Sequence, residues 1–138
     1  MEQISEELKK KVKELKFEFK DVPQPELLIR VPNTNTEVDY MVETRSPEFT
    51  SVCPLSPMQP DCATIIIRYA PKKWCVELKS LKYYFTSFRT VAIFHEAVPA
   101  TILRSLIAIL EPRWLEVIGQ FTVRGGLTTT VTAVYKEK

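Results

Sequence analysis

The sequence is poor in glycine and histidine and has no long apolar run, and each scarcity excludes a class of protein. Its only glycines, Gly119, Gly125 and Gly126, cannot form the glycine-rich fingerprint of a dinucleotide-binding fold or a P-loop. A single histidine, His95, limits the zinc sites and catalytic triads that the chain could build. Apolar runs such as Ala63–Ile67 are far shorter than the roughly 18 residues that cross a bilayer.

Net charge is also low, because 19 Lys and Arg side chains are balanced by 17 Asp and Glu. This balance disfavours an arm that coats nucleic acid and an acidic tail. An apolar share of 45% over 138 residues is typical of an ordinary globular chain. We therefore expect one domain over residues 1–138, located in the cytoplasm, with neither a membrane nor a nucleic acid as a direct partner.

The hydrophobic pattern predicts an α+β chain in the order β-β-α-α-β-β, preceded by a helix. The predicted elements are a helix over 4–17, an edge strand or crossover at Leu27–Val31, strands at Thr36–Arg45 and Ala63–Ala70, helices at Glu77–Arg89 and Pro99–Leu110, and strands at Trp114–Thr122 and Leu127–Tyr135. Ser46–Asp61 contains four prolines and is predicted to be irregular. Two hairpins around a helix pair predict a four-stranded antiparallel sheet with both helices on one face. Its exposed outer strands favour assembly edge to edge.

Cys53 and Asp61 lie in the proline-rich segment and are candidates for covalent chemistry. A thiolate nucleophile needs an acid or base nearby, and Asp61 follows Cys53 closely. The ordinary role of a single cysteine is that of a small buried apolar side chain. A zinc site made by Cys53, Cys62 and His95 is a further alternative, although eight residues between the cysteines is not a metal-knuckle spacing. With Cys75 the cysteines form an odd set, and the Glu/Lys-rich N-terminus resembles no signal or transit peptide, so we expect reduced thiols.

Two other groups of side chains allow both a structural and a functional interpretation. Lys79, Lys82 and Arg89 project from neighbouring positions of one predicted helix, either as a solvated basic face or as a phosphate site that Arg124 could extend. The dipeptide His95-Glu96 precedes the next helix. Its carboxylate either complements the helix dipole or accepts hydrogen bonds from the amidine-like edge of a purine.

Five short motifs follow one another in the order typical of one enzyme family. They are Pro47–Pro54 (PEFTSVCP), Gln59–Asp61 (QPD), Glu77–Tyr84 (ELKSLKYY), Phe94–Glu96 (FHE) and Arg124–Gly126 (RGG). On these motifs the chain resembles the short, single-module NADPH-dependent 7-cyano-7-deazaguanine reductases, the nitrile reductases of queuosine biosynthesis. The resemblance covers about residues 36–127, and Glu77–Tyr84 is its most specific part.

The resemblance implies a tunnelling fold, in which β-β-α-α-β-β units join edge to edge in a ring-shaped barrel with active sites between subunits. Residues 36–135 would form this core, and residues 1–30 an N-terminal helix and extension. The implied assembly is a homo-oligomer of pentameric rings or a decamer.

The resemblance also implies roles for individual residues. Cys53 would be the nucleophile and Asp61 the proton donor. The substrate would be recognised by Val76, Glu77, Leu78, His95 and Glu96. The phosphates of NADPH would be held by Lys79, Lys82 and Arg124, and no metal would be required.

In the implied reaction the Cys53 thiolate attacks the nitrile carbon and Asp61 protonates the nitrogen, which gives a thioimide. Two hydrides from NADPH then lead to the primary amine, 7-aminomethyl-7-deazaguanine. Alternatives are an archaeosine-forming amidinotransferase that adds ammonia to the same nitrile on tRNA, a zinc-dependent hydrolase related to GTP cyclohydrolases, and a non-catalytic module that binds a purine or pterin. The complete lysine-bearing motif favours the reductase over the amidinotransferase.

Overall fold

The computed structural model describes residues 4–138 and confirms a mixed α+β fold with antiparallel sheets and three α-helices. The strands are β1 (Arg30–Pro32), β2 (Val42–Cys53), β3 (Ser56–Ala70), β4 (Trp74–Val76), β5 (Trp114–Arg124) and β6 (Leu127–Lys136). The α-helices are α1 (Glu6–Lys13), α2 (Leu78–Thr86) and α3 (Ala97–Leu110), and short 3-10 helices lie at Pro25–Leu27 and Ser87–Thr90. The first three residues of the predicted N-terminal extension lie outside the described range.

The four long strands form one antiparallel sheet in the order β2-β3-β5-β6. β1 and β4 pair in a second, two-stranded sheet. Within residues 4–138, β2 and β6 each have a strand partner on one side only. Over this same range, no helix is both long enough and apolar enough to span a membrane.

Both α2 and α3 contribute to one core on the same face of the main sheet, because alternate strand residues point to that side. The strand side chains that face the helices include Ile65, Ile67, Leu115 and Val117, all fully buried. α3 meets them with an apolar stripe at four-residue spacing, formed by Val98, Ile102, Leu106 and Leu110. Burying an aliphatic side chain of this kind stabilises the fold by about 1.5–3 kcal/mol. This layer fixes the positions of the two hairpins relative to each other.

The prediction that Ser46–Asp61 is irregular is wrong, because β2 runs to Cys53 and β3 begins at Ser56. The prolines are accommodated in three ways. Pro47 lies where the β2–β3 register shifts, and Pro54 lies in the turn. Pro57 and Pro60 lie in the part of β3 that precedes its pairing with β5, so this part of the hairpin has only β2 beside it. A proline can stay in such a strand, since its missing N–H can face away from the partner.

Other boundaries also moved. The strand predicted at Thr36–Arg45 begins only at Val42, the helix predicted over 4–17 ends at Lys13, and the strand at Leu27–Val31 is displaced to β1. β4 was not predicted. The turn between β5 and β6 is confirmed: Gly125 and Gly126 have φ values of 58° and 80°, which glycine adopts without strain.

Candidate active site

Asp61 is the centre of a buried polar cluster on β3, opposite Ser51 of β2. Its side chain is 3% exposed, and the Arg124 guanidinium contacts its Oδ1 atom. Arg124 also donates to the Pro60 carbonyl at 3.2 Å. His95 places Nε2 3.5 Å from the same Asp61 Oδ1. Such partners offset the cost of removing a carboxylate from water.

His95 is oriented by an aromatic partner on the sheet. Its ring stacks on Phe121 with centroids 3.9 Å apart and planes within 7°. Phe121 is buried and lies opposite Ala63 in the β3–β5 ladder. Gly119 leaves room for this arrangement, because a Cβ there would lie 2.9 Å from the Phe121 ring. The sheet therefore holds the edge of the imidazole toward Asp61.

Cys53 is the last residue of β2 and is half-buried with a free thiol. Its neighbour Val52 is tied to the segment before α3, since Val52 N–H donates to the Val91 carbonyl and Ile93 N–H donates to the Val52 carbonyl, both at 3.0 Å. That segment leads directly to His95. The backbone therefore sets Cys53 beside the segment that carries His95, two residues along β2 from the position opposite Asp61.

The residues predicted for purine recognition have different environments. Glu77 caps α2: its carboxylate accepts the backbone N–H groups of Lys79 at 2.9 Å and Ser80 at 2.7 Å. Val76 is buried in β4, whereas Leu78 is 62% exposed. Glu96 is exposed at the start of α3 and forms no side-chain cap hydrogen bond, so its carboxylate is available to a ligand.

The three residues predicted to bind the cofactor differ in the partners that they have in the structure. The Lys79 ammonium donates to the carbonyls of Val12 at 2.9 Å and Lys13 at 3.2 Å, which end α1. Arg124 is engaged with Asp61, as described above. Lys82 is exposed, and its ammonium forms no hydrogen bond or ion pair with the part of the chain that the structure describes.

Lys82 lines a cavity of about 460 Å³ between β2 and α2, a size typical of small-molecule sites. Phe49, Leu81 and Phe85 form its apolar surface. Arg89 also lines it, and no acceptor within residues 4–138 binds its guanidinium. The sequence placed Arg89 on the basic face but the resemblance gave it no role. Its seven-residue spacing from Lys82, close to two helical turns, is the signal that could have selected it.

Among residues 4–138, no three His, Cys, Asp or Glu side chains are grouped so that they could hold a metal ion. The alternative zinc set of Cys53, Cys62 and His95 is therefore not assembled within one chain. Cys62 is instead exposed on β3, with its sulfur 4.0 Å from the Thr50 hydroxyl.

Comparisons with known proteins identify the family of the chain as a whole. The family model of the QueF-like proteins matches residues 60–138. The NADPH-dependent 7-cyano-7-deazaguanine reductase of Chlorobium phaeobacteroides is 51% identical over 82% of this chain and 97% of its own length. The protein of the same name from Thermomicrobium roseum is 53% identical over 79% of this chain and 84% of its own.

A solved structure gives an independent comparison of the fold. The crystal structure of an archaeosine synthase QueF-Like in the apo form has a TM-score of 0.62 with this chain and is 23% identical. The match covers 72% of this chain and 95% of the other, and at this identity it shows the fold alone. With the family model matching more than half of the residues and relatives at about 50% identity, this chain belongs to the QueF-like family, together with the NADPH-dependent 7-cyano-7-deazaguanine reductases that it matches.

Proposed function

We propose that this protein reduces the nitrile of 7-cyano-7-deazaguanine to a primary amine with NADPH, a step of queuosine biosynthesis. The observation that carries this function is the identity of 48–53% to reductases of that name, over about four fifths of this chain. The position of Cys53 beside the segment leading to His95, near a buried carboxylate, supports it chemically.

Cys53 is proposed as the nucleophile. A nitrile carbon has no leaving group, so addition of the thiolate forms an S–C bond while the nitrogen takes up a proton, which gives a thioimide. We assign this proton to Asp61, and His95 is the group that replenishes it across the 3.5 Å contact. The Asp61 side chain is 3% exposed, so the donor itself is largely shielded from water.

The exposed carboxylate of Glu96 is proposed to bind the N–H donors of the purine edge, since two carboxylate oxygens can accept two parallel hydrogen bonds. Glu77 uses both oxygens as a helix cap and would then act mainly by holding the first turn of α2 in place. Val76 and Leu78 lie on either side of Glu77. We propose that they contact the purine through their apolar side chains and their backbone.

The donor set around the cavity between β2 and α2 fits a phosphorylated nucleotide. Lys82 and Arg89 offer a cation and a planar guanidinium that no acceptor among residues 4–138 binds, although Glu48 lines the same cavity. The apolar residues of the cavity lie beside these cations and fit an aromatic base. Two NADPH molecules bound there in turn would each supply one hydride, and these two hydrides with two protons would convert the nitrile into the amine. Lys79 and Arg124 would join the phosphate site only by exchanging their present partners.

We also propose the finer fold and assembly that the family resemblance implies, a tunnelling-fold unit of residues 1–138 that closes into pentameric rings or a decamer. The outer edges of β2 and β6 support this assembly, because neither has a further strand beside it within residues 4–138, although Val52 of β2 is already bonded to Val91 and Ile93. Residues of β2 line the cavity, and Cys53 ends the same strand. A neighbouring copy paired with the outer edge of β2 would therefore complete the site.

The function is tested by following the reduced-nicotinamide absorbance after mixing protein, NADPH and 7-cyano-7-deazaguanine, beside a control without nitrile. We expect two NADPH oxidised per amine formed, with the amine identified by mass spectrometry. No nitrile-dependent oxidation despite nitrile binding would contradict the proposal, and ammonia incorporation without oxidation would assign an amidinotransferase instead.

A further inference from the structure

The Ser51 hydroxyl is buried without a hydrogen-bond partner. Ser51 is fully buried in β2, and within residues 4–138 its Oγ is the sole buried side-chain polar atom that has no partner. Two other buried serines differ: Ser80 Oγ accepts the Ile29 N–H at 2.9 Å, and Ser87 Oγ donates to the Tyr84 carbonyl at 2.6 Å. An unpartnered buried hydroxyl destabilises a fold, so the fold alone gives no reason for a serine here.

The position of Ser51 indicates the missing partner. Ser51 and Asp61 are direct cross-strand neighbours of an antiparallel pair, and such side chains share one face with Cβ atoms about 5 Å apart. Asp61 contacts both Arg124 and His95 through Oδ1. Oδ2 of Asp61 therefore has no bond to either cation, and a serine hydroxyl reaches a new acceptor by rotating about one side-chain bond.

We propose that Ser51 is a positioning residue for Asp61, and this inference rests on the proposed nitrile reduction. As the Cys53 sulfur bonds the nitrile carbon, Asp61 passes a proton taken up from His95 to the nitrile nitrogen and returns to the carboxylate that pairs with Arg124. The Ser51 O–H then donates to Oδ2, which fixes the carboxyl plane and stabilises the ion that the transfer leaves behind. Hydrogen bonds to charged groups are stronger than those to neutral ones, so the bond counts most at this step.

The test is the rate at which protein and 7-cyano-7-deazaguanine form the covalent adduct without NADPH, measured by intact mass after rapid quenching. We expect Ser51→Ala to slow adduct formation by about tenfold to hundredfold, the size of a lost bond to a charged group. Nitrile affinity, measured by calorimetry, should stay the same. Ser51→Thr keeps the hydroxyl on a side chain that suits a strand, so it should restore most of the rate.

Thermal stability distinguishes this role from a structural one. Ser51→Ala removes an unpartnered hydroxyl, so its melting temperature should equal or exceed that of the parent protein. The matched control Ser87→Ala breaks a hydrogen bond of an equally buried serine, so it should melt lower while forming the adduct at the parent rate. A parent-like adduct rate in Ser51→Ala, or a lower melting temperature together with weaker nitrile binding, would overturn the inference. No adduct in the parent protein would instead contradict the proposed function.

Discussion

The Asp61–Arg124 pair should respond unequally to loss of one partner or the other. The Asp61 side chain is 3% exposed, whereas that of Arg124 is 38% exposed. Arg124→Gln leaves a buried carboxylate whose nearest cation is His95, 3.5 Å away and charged only when protonated. Asp61→Asn leaves a guanidinium that water still reaches. We therefore expect the arginine variant to be the less stable of the two.

Removing one partner of a fully buried ion pair costs about 3–5 kcal/mol. Because more than a third of Arg124 is exposed and His95 remains, we expect a loss of about 2 kcal/mol for Arg124→Gln. Asp61→Asn keeps the shape and should cost less than about 1 kcal/mol. For a chain of this size, 2 kcal/mol corresponds to a fall in Tm of roughly 6–10 °C.

Circular dichroism melts at one fixed protein concentration measure these losses, since assembly changes apparent stability. The double variant should be more stable than Arg124→Gln alone, because it has no buried unpaired charge. Arg113→Gln is the control: its partner Asp39 is 98% exposed, so the change should cost under about 0.5 kcal/mol. Equal losses for the two single variants, or strictly additive losses in the double variant, would refute the burial argument.

Three further predictions concern the nucleophile, the cofactor and alkaline stability. Cys53→Ala should bind the nitrile in calorimetry yet form no adduct, and an adduct seen by intact mass would assign another nucleophile. In steady-state assays, Lys82→Gln and Arg89→Gln should raise the KM for NADPH about tenfold and leave the KM for the nitrile unchanged. Equal increases in both KM values would assign these residues a structural role instead. Burial raises the pKa of Tyr84 from 10.0 to about 12, so the folded state keeps a proton that the unfolded state loses. The free energy of unfolding that this proton contributes is fully present below about pH 10 and should be lost between pH 10 and 12. Urea denaturation at a series of pH values should show a smaller loss for Tyr84→Phe than for the parent protein.

The spacing of apolar residues predicted most of the long helices and strands, because one face of each such element is buried in the core. The alternation of Trp114–Thr122 and the four-residue apolar spacing of α3 each occur on a surface that packs against the core. The failure at Ser46–Asp61 has a specific cause. Proline disfavours a strand that is paired on both sides, but the sequence does not reveal that this hairpin extends beyond β5, where only one side is paired. The strands in this segment were therefore not predicted, because which strands lie beside one another is decided by the tertiary structure.

The site was predictable as a set of residue types, and less so as a set of contacts. Cys53, Asp61 and His95 were selected from motifs, and the structure brings Asp61 and His95 together. Ser51 lies in the motif Pro47–Pro54 but was given no role, because its burial and its missing partner are visible only in the structure. The same holds for Phe121, whose contact with His95 joins residues from two separate elements.

The cations show why charge patterns assign ligands poorly. Lys79 and Arg124 have partners 67 and 63 residues away in sequence, at the end of α1 and at Asp61, so each is already bound to an acceptor of the protein itself. Lys82 alone of the predicted three has no acceptor among the described residues. A phosphate at Lys82 would therefore displace no acceptor among the described residues, whereas a phosphate at Arg124 would compete with Asp61 for the same guanidinium. Occupation of Arg124 by a phosphate would change the partners of Asp61, the proposed proton donor, and would thereby link cofactor binding to the chemistry proposed at Cys53.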